Sequence, residues 1–72
     1  MIVLDEIRKN LQTAIRQSSH SGADICKHIG IKQPTLSQYL SGRAMPALDT
    51  FAKLCVYLDL DANEILCISE SD

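Results

Sequence analysis

The residues best suited to covalent or metal chemistry are three cysteines and two histidines, and their spacing forms no recognisable site. Cys26, Cys55 and Cys67 contain no Cys-x-x-Cys pair, and His20 and His28 lie too far apart along the chain for a local ligand pair. A structural zinc site needs about four such ligands at characteristic spacing. The sequence therefore predicts no metal ion and no cofactor. It favours reduced cysteines, as in a cytoplasmic protein, with Cys26 and Cys55 packed as small apolar residues.

The inventory of reactive residues also argues against an enzyme. The chain has 72 residues, which excludes a large cleft between two domains. No Ser/His/acid or Cys/His set has a pocket to occupy, and there is no glycine-rich phosphate loop. The longest purely apolar run, residues 54–58, is far shorter than the roughly 20 residues of a membrane span. The N-terminal residues lack the basic and apolar regions of a secretory signal.

Charge is distributed unevenly along the chain. The net charge is −2, but all seven Lys and Arg residues lie within residues 8–58. Residues 59–72 contain Asp59, Asp61, Glu64, Glu70 and Asp72 and no cation. A basic segment followed by an acidic one is compatible with a protein that binds an anionic partner on one side. It is equally compatible with charges that lie on an ordinary solvated surface. Charge alone therefore does not distinguish these two readings.

Apolar residues recur at three-and-four spacing along the whole chain, and no β-type alternation is present. This periodicity predicts an all-α fold of five helices in a single domain spanning residues 1–72. We expect the fourth helix to bury Leu48, Phe51, Ala52, Leu54, Cys55 and Leu58. The predicted helices cover residues 3–17, 23–29, 33–40 and 48–58, followed by a short helix after Asp61.

Polar and special residues mark the ends of these helices. Ser21 is a good N-cap for the second helix, with Asp24 three residues on. Gly30 follows that helix where a left-handed residue is needed. Pro34 fits only the first turn of the third helix. Asp61 opens the last helix as the first residue of an Asp-x-x-Glu capping box that ends at Glu64.

Residues 21–42 carry the pattern of a helix-turn-helix unit. Two short helices are joined by about three residues that include Gly30. The helices of such a unit cross steeply, so the contact residue on the first helix must be small. Cys26, four residues before Gly30, meets that demand, and Leu36 supplies an apolar contact from the second helix.

With these residues, the sequence resembles the Cro/phage-repressor (lambda-repressor-like, Xre-type) helix-turn-helix family. Residues 21–31 look like the second helix and turn of that family, and residues 33–42 look like its recognition helix and stop. The resemblance extends over about residues 4–68 and implies a compact five-helix DNA-binding domain. Two residues depart from the pattern. Gly22 replaces a Gln that often contacts phosphate, and Cys26 replaces the usual Ala.

The resemblance implies that the third helix enters the major groove with its N-terminal end first. Base contacts are then expected from Gln33, Thr35, Ser37 and Gln38, because Gln can bond adenine bidentately and Thr or Ser can take several bases. Phosphate contacts are expected from Lys32 and Arg43 and from the backbone N–H groups of Gly22 and Ala23 at a helix N-terminus.

These expectations describe a small cytoplasmic prokaryotic or phage transcriptional regulator, a repressor that binds a near-palindromic operator in double-stranded DNA. Two half-sites require a weak homodimer, expected through the C-terminal segment with Ile68, Cys67 and either Leu60 or Val56 facing out. The alternative is that Ile68 merely covers the first helix. A second class also remains open: a protein-interaction module or the antitoxin of a toxin–antitoxin pair on the same fold.

Overall fold

The chain folds into five α-helices, and the computed structural model describes residues 2–68, in which no strand occurs. The all-α prediction is therefore confirmed, and each bound predicted for the first four helices lies within one residue of the observed bound. The acidic residues Glu70 and Asp72 lie outside the described part. The helices are α1 (Leu4–Gln17), α2 (Gly22–Ile29), α3 (Gln33–Ser41), α4 (Leu48–Leu58) and α5 (Ala62–Ile65).

The predicted start and stop residues act as expected. The Ser21 hydroxyl oxygen accepts the Asp24 backbone N–H at 3.1 Å, which caps α2. Gly30 ends α2 in the left-handed region with φ 85°. The Asp61 carboxylate accepts the backbone N–H groups of Asn63 and Glu64, in the first turn of α5, at 3.0 and 3.4 Å. Local sequence thus defines both ends of α2 and the start of α5.

Two further helices end at left-handed residues. Gly42 ends α3 with φ 80°, and Asp59 ends α4 with φ 56°. Aspartate is one of the few residues other than glycine that visit this region readily. The Leu60 N–H then bonds the Cys55 carbonyl at 2.8 Å, which satisfies an orphan acceptor at the end of α4.

The core places α3 between two other helices. α1 packs on α3 and α5, and α2 packs on α3 and α4. Cys26, predicted to be a packing residue, is 7% exposed where α2 meets its neighbours. α3 is consequently braced from two sides. The buried residues are Leu11, Ile15, Ile25, Cys26, Ile29, Leu36, Tyr39, Leu54 and Ile65.

The inward face of α4 differs from the prediction at two positions. Leu48 is 84% exposed and Ala52 is also exposed, whereas Leu54 is completely buried. At about 100° per residue, Ala52 lies roughly 160° from Leu54 around the helix. Leu48 lies roughly 120° from Leu54 at the same rotation per residue and occupies the first position of the helix. α4 is apolar on nearly every side, so periodicity alone did not identify the buried face.

The C-terminal segment is tied to α1 by a side-chain amide. Asn10 donates to the Ile65 carbonyl at 3.1 Å, and its amide nitrogen lies 3.5 Å from the Cys67 sulfur. Asn10 thereby satisfies a carbonyl at the end of the short helix α5. Within residues 2–68, no helix is both long and apolar enough to cross a membrane.

Candidate nucleic-acid interface

Helix α3 has one buried and one exposed face. Leu36 and Tyr39 are 3% and 7% exposed and anchor the helix to the core, and Leu40 is half-buried beside them. The exposed Pro34 lies in the first turn, where its missing N–H leaves no broken hydrogen bond. This anchoring fixes which side chains of α3 face solvent.

The exposed face of α3 carries uncharged polar side chains. Gln33, Ser37 and Gln38 are exposed, and Thr35 is half-buried. α3 contains no acidic residue. Amide and hydroxyl groups can donate and accept hydrogen bonds without repelling an anionic surface. Three of the four predicted base-contacting residues thus lie fully on the surface, and Thr35 lies at its border.

The N-terminus of α2 lies directly against the first turns of α3. A Cβ atom added at Gly22 would be 3.5 Å from the Leu36 Cδ2 and 3.7 Å from the Gln33 Oε1. Gly22 and Ala23 are both exposed. Their N–H groups occupy the first positions of the helix, where no helical acceptor exists. The structure therefore brings the start of α2 at Gly22 next to the Gln33 side chain.

Two basic residues frame α3 along the chain. Lys32 is the N-cap residue of α3 and Arg43 follows its final glycine, and both side chains are exposed. Within residues 2–68 the one ion pair joins Arg8 to Asp5 at 3.0 Å. Neither Lys32 nor Arg43 forms an ion pair with a described residue. An anionic partner could therefore contact both cations without displacing an existing ion pair.

The end of α3 lies against two side chains of α1, and one of them bonds it; neither contact was predicted from the sequence. Arg16 donates to the Leu40 carbonyl, in the last turn of α3, at 3.0 Å. A Cβ atom added at Gly42 would lie 2.8 Å from the Gln12 amide nitrogen, which shows how closely α1 approaches. A cation suits the negative end of the helix dipole. The sequence signal was only the presence of Arg16 in the last turn of α1.

Two ionisable groups in the domain have shifted pKa values. Burial raises the pKa of the Tyr39 hydroxyl, and the negative charge of Asp49 raises it further. Burial also raises the pKa of the Cys55 thiol, with Asp61 adding to the effect. Both groups are therefore held in their neutral forms at pH 7, and Cys55 lacks the lowered pKa of a reactive thiol.

An aromatic stack joins α2 to α4. The Tyr57 ring centroid lies 4.3 Å from that of His20 and 4.1 Å from that of His28. The His28 ring is nearly parallel to the tyrosine ring, at an interplanar angle of 17°, and the His20 ring is tilted from it by 34°. Both histidines are nevertheless exposed. Among residues 2–68 no group of three possible metal ligands is present.

The acidic end of the chain forms a separate groove. Asp59, Asp61 and Glu64 line a cavity of about 470 Å³ together with Asn10 and other residues of α1. No residue of α3 borders this groove. Its acidic residues therefore do not interrupt the uncharged face of α3.

Comparison with known proteins places the chain in a family. The sequence model of a helix-turn-helix family matches residues 7–65, which run from the first turns of α1 to the end of α5. The chain belongs to the Cro/C1-type helix-turn-helix family. Searches of curated proteins and of solved structures found no significant match. The resemblance drawn from residues 21–42 is thus confirmed.

Membership in this helix-turn-helix family fixes the general role. The family consists of DNA-binding regulators of transcription. In this helix-turn-helix protein, α2 and α3 are the two short helices joined by the turn at Gly30.

Proposed function

We propose that this chain is a sequence-specific double-stranded DNA-binding protein of a prokaryote or phage. It acts in the cytoplasm as a transcriptional repressor that occupies an operator. α3 enters the major groove, where Gln33, Gln38, Ser37 and Thr35 contact base edges. Lys32 and Arg43 contact phosphates on either side, and the Gly22 and Ala23 N–H groups contact a third phosphate.

The observation that carries this proposal is the exposed face of α3. It presents two glutamines and a serine without any acid, and an exposed cation stands at each end of the helix. Bases are read by such neutral donors and acceptors, whereas phosphates attract the flanking cations. The bracing of α3 by α1 and α2 supports the proposal, because a rigid helix pays less ordering entropy on binding.

The proposed operator is near-palindromic and is bound by a weak homodimer. One domain of this size reads only a few base pairs, so useful specificity requires a second half-site about one DNA turn away. Apolar residues for such contacts are available near the C-terminal end. Ile68 is 47% exposed and Val56 is 83% exposed, whereas Cys67 and Leu60 are half-buried.

The test begins with selection of a preferred site from random duplexes. Gln33→Ala and Gln38→Ala should each weaken binding to that site by roughly 1–3 kcal/mol and flatten the preference at about one or two base pairs. Gln17→Ala is the matched control, since Gln17 is an exposed glutamine of α1 outside the proposed interface. Its affinity should equal that of the wild type.

Wild-type affinity in both α3 variants would show that the recognition helix is wrongly assigned. A loss of equal size in Gln17→Ala would point to a general effect of removing surface amides. A chain that binds no duplex even at low salt would favour the second candidate, a protein-interaction module or antitoxin. The acidic groove of Asp59, Asp61 and Glu64 is the feature that favours this candidate.

A further inference from the structure

The end of α3 lies beside an arginine of α1 that the proposed interface does not yet include. A Cβ atom added at Gly42 would lie 3.9 Å from the Arg8 Cδ, so the stem of Arg8 lies close to the glycine that ends the helix. Gly42 permits this approach because it carries no side chain. Arg43, an exposed cation, is the next residue along the chain. Two arginines from different elements thus flank Gly42.

The hydrogen-bonding capacity of the Arg8 guanidinium is only partly used. Its Nη1 donates to the Asp5 carboxylate at 3.0 Å, in the one ion pair among residues 2–68. Its Nε is buried and has no hydrogen-bond partner in the described part of the chain. A buried donor without a partner raises the free energy of the folded state, since the donor has lost its contact with water. An acceptor that drew the guanidinium outwards and bonded Nε would remove that cost.

The ion pair that holds Arg8 is weak enough to be exchanged for another acceptor. The Asp5 side chain is 75% exposed and belongs to the same helix, three residues before Arg8. Exposed pairs of this kind contribute little to stability, because water screens both charges. Asp5 accepts from Nη1 alone, whereas a phosphate group can accept from two guanidinium nitrogens at once. Asp5 therefore holds Arg8 in the free protein without preventing its transfer to a phosphate.

We propose that Arg8 binds a phosphate group of the DNA backbone next to the one contacted by Arg43, and that its guanidinium leaves Asp5 to do so. This proposal rests on the proposed DNA function and adds α1 to its interface. Arg16, a third arginine near this end of α3, is instead engaged with the Leu40 carbonyl at 3.0 Å. Asp5 consequently acts as an internal competitor that lowers the affinity for DNA.

The first experiment removes the charge of Arg8 and keeps its apolar stem. Arg8→Met retains an unbranched side chain beside Gly42, so the fold should be preserved, which circular dichroism checks. We expect the affinity for selected and random duplexes to fall about tenfold and the magnitude of the salt slope to fall by about one. Lys9→Met removes an adjacent exposed cation and should change the affinity by less than about twofold, with the slope unchanged.

A double-mutant cycle tests the competition with Asp5. Asp5→Ala should raise the affinity for duplexes about twofold to fivefold, because Arg8 no longer has to leave an ion pair. Glu6→Ala removes an equal charge from an exposed neighbour that forms no ion pair with a described residue, and its gain should be smaller. In the Arg8→Met background, Asp5→Ala should have only the effect of Glu6→Ala, since no guanidinium remains to be released.

The outcomes separate this contact from the proposed function. Wild-type affinity and slope in Arg8→Met, with binding still weakened by Lys32→Ala and Arg43→Ala, would overturn the contact and leave the DNA function intact. Equal gains from Asp5→Ala and Glu6→Ala in otherwise wild-type protein would overturn the exchange, and this comparison stands even if Arg8→Met fails to fold. A wild type that binds no duplex at low salt would refute the DNA function and this proposal together.

Discussion

At the scale of a single residue, substitutions at Cys26 test how tightly α2 packs against the rest of the core. Its side chain is 7% exposed, and its carbonyl accepts the Gly30 and Ile31 N–H groups at 2.8 and 3.1 Å. Cys26→Ala should be nearly neutral or cost less than about 1.5 kcal/mol, because it only shortens a small side chain. Cys26→Leu should destabilise by about 1–3 kcal/mol through overpacking.

Thermal melts measure the stability of the two Cys26 variants relative to the wild type. Equal stability of the alanine and leucine proteins would mean that the helices do not approach closely at this position. The conservative exchange Ile29→Val, in the next turn of the same helix, supplies a scale for an ordinary loss of one buried methylene, about 0.5–1.5 kcal/mol.

Two glycines at the ends of α2 should respond to alanine with opposite signs. A Cβ atom at Gly22 would make ordinary van der Waals contacts at 3.5 and 3.7 Å, and the φ angle of Gly22 is not positive. Gly22→Ala should therefore stabilise the fold by about 0.4–1 kcal/mol. Gly30 has φ 85° and open space around it, so Gly30→Ala should cost about 1–2 kcal/mol through backbone strain alone.

Chemical denaturation of both glycine variants measures these changes. Gly30→Asn is the matched control, because asparagine tolerates the left-handed conformation better than alanine. A stabilising Gly30→Ala would contradict the backbone geometry of the turn. A destabilising Gly22→Ala would mean that α2 and α3 lie closer together than these distances indicate.

At the scale of the helical element, Arg16 links α1 to the end of α3. Its guanidinium donates to the Leu40 carbonyl at 3.0 Å on an exposed surface. Arg16→Ala should lower stability by about 1 kcal/mol and speed amide exchange in the last turn of α3. Lys9→Ala, an exposed cation on the same helix, should change neither quantity by more than about 0.5 kcal/mol.

Amide exchange followed by NMR distinguishes this local role from general destabilisation. In the Arg16 variant, the Gly42 and Ala44 amides, which bond carbonyls in α3, should lose protection before the core amides of α4 do. A uniform loss of amide protection across all helices would contradict a local role of Arg16 at the end of α3.

The elements also show what the sequence could and could not predict. The bounds of α2 and the start of α5 followed from Ser21, Gly30 and Asp61, because these residues act on their own local backbone. The exposure of Leu48 and Ala52 did not follow, because orientation of a nearly uniform apolar helix depends on its tertiary neighbours.

In the candidate interface, too, the features set by local sequence could be predicted and the contacts between distant residues could not. The exposed polar face of α3 was predictable, since Leu36 and Tyr39 fix the buried side by periodicity. The Arg16 contact with Leu40 and the histidine stack on Tyr57 were not, because each joins residues far apart in the chain. Side-chain partners of this kind depend on how helices cross.

At the scale of the whole molecule, charge is separated between two regions. Lys32 and Arg43 stand at the ends of α3, and the described acids of the C-terminal part line a groove formed with α1. The net charge of −2 therefore does not oppose DNA binding at α3. Local potential at the interface, rather than the total charge, controls the approach of an anionic partner.

Salt dependence of duplex binding tests this separation. Each phosphate contact releases condensed counterions, so the affinity should fall steeply as ionic strength rises, with a logarithmic slope of about −0.9 per contact. Lys32→Ala and Arg43→Ala should weaken selected and random duplexes alike and should each reduce the magnitude of the slope by about one. Lys9→Ala, an exposed cation of α1 outside the proposed interface, should leave the slope unchanged.

Titration of a fluorescent duplex over a range of salt concentrations gives these slopes directly. If Lys9→Ala reduces the slope as much as Lys32→Ala does, DNA responds to the overall charge of the protein. The assignment of phosphate contacts to the two cations at the ends of α3 would then be incorrect. If the wild type binds no duplex at the lowest salt concentration, electrostatic contacts with phosphate are absent altogether. Only a protein partner would then remain to explain a helix-turn-helix fold whose acidic groove lies apart from α3.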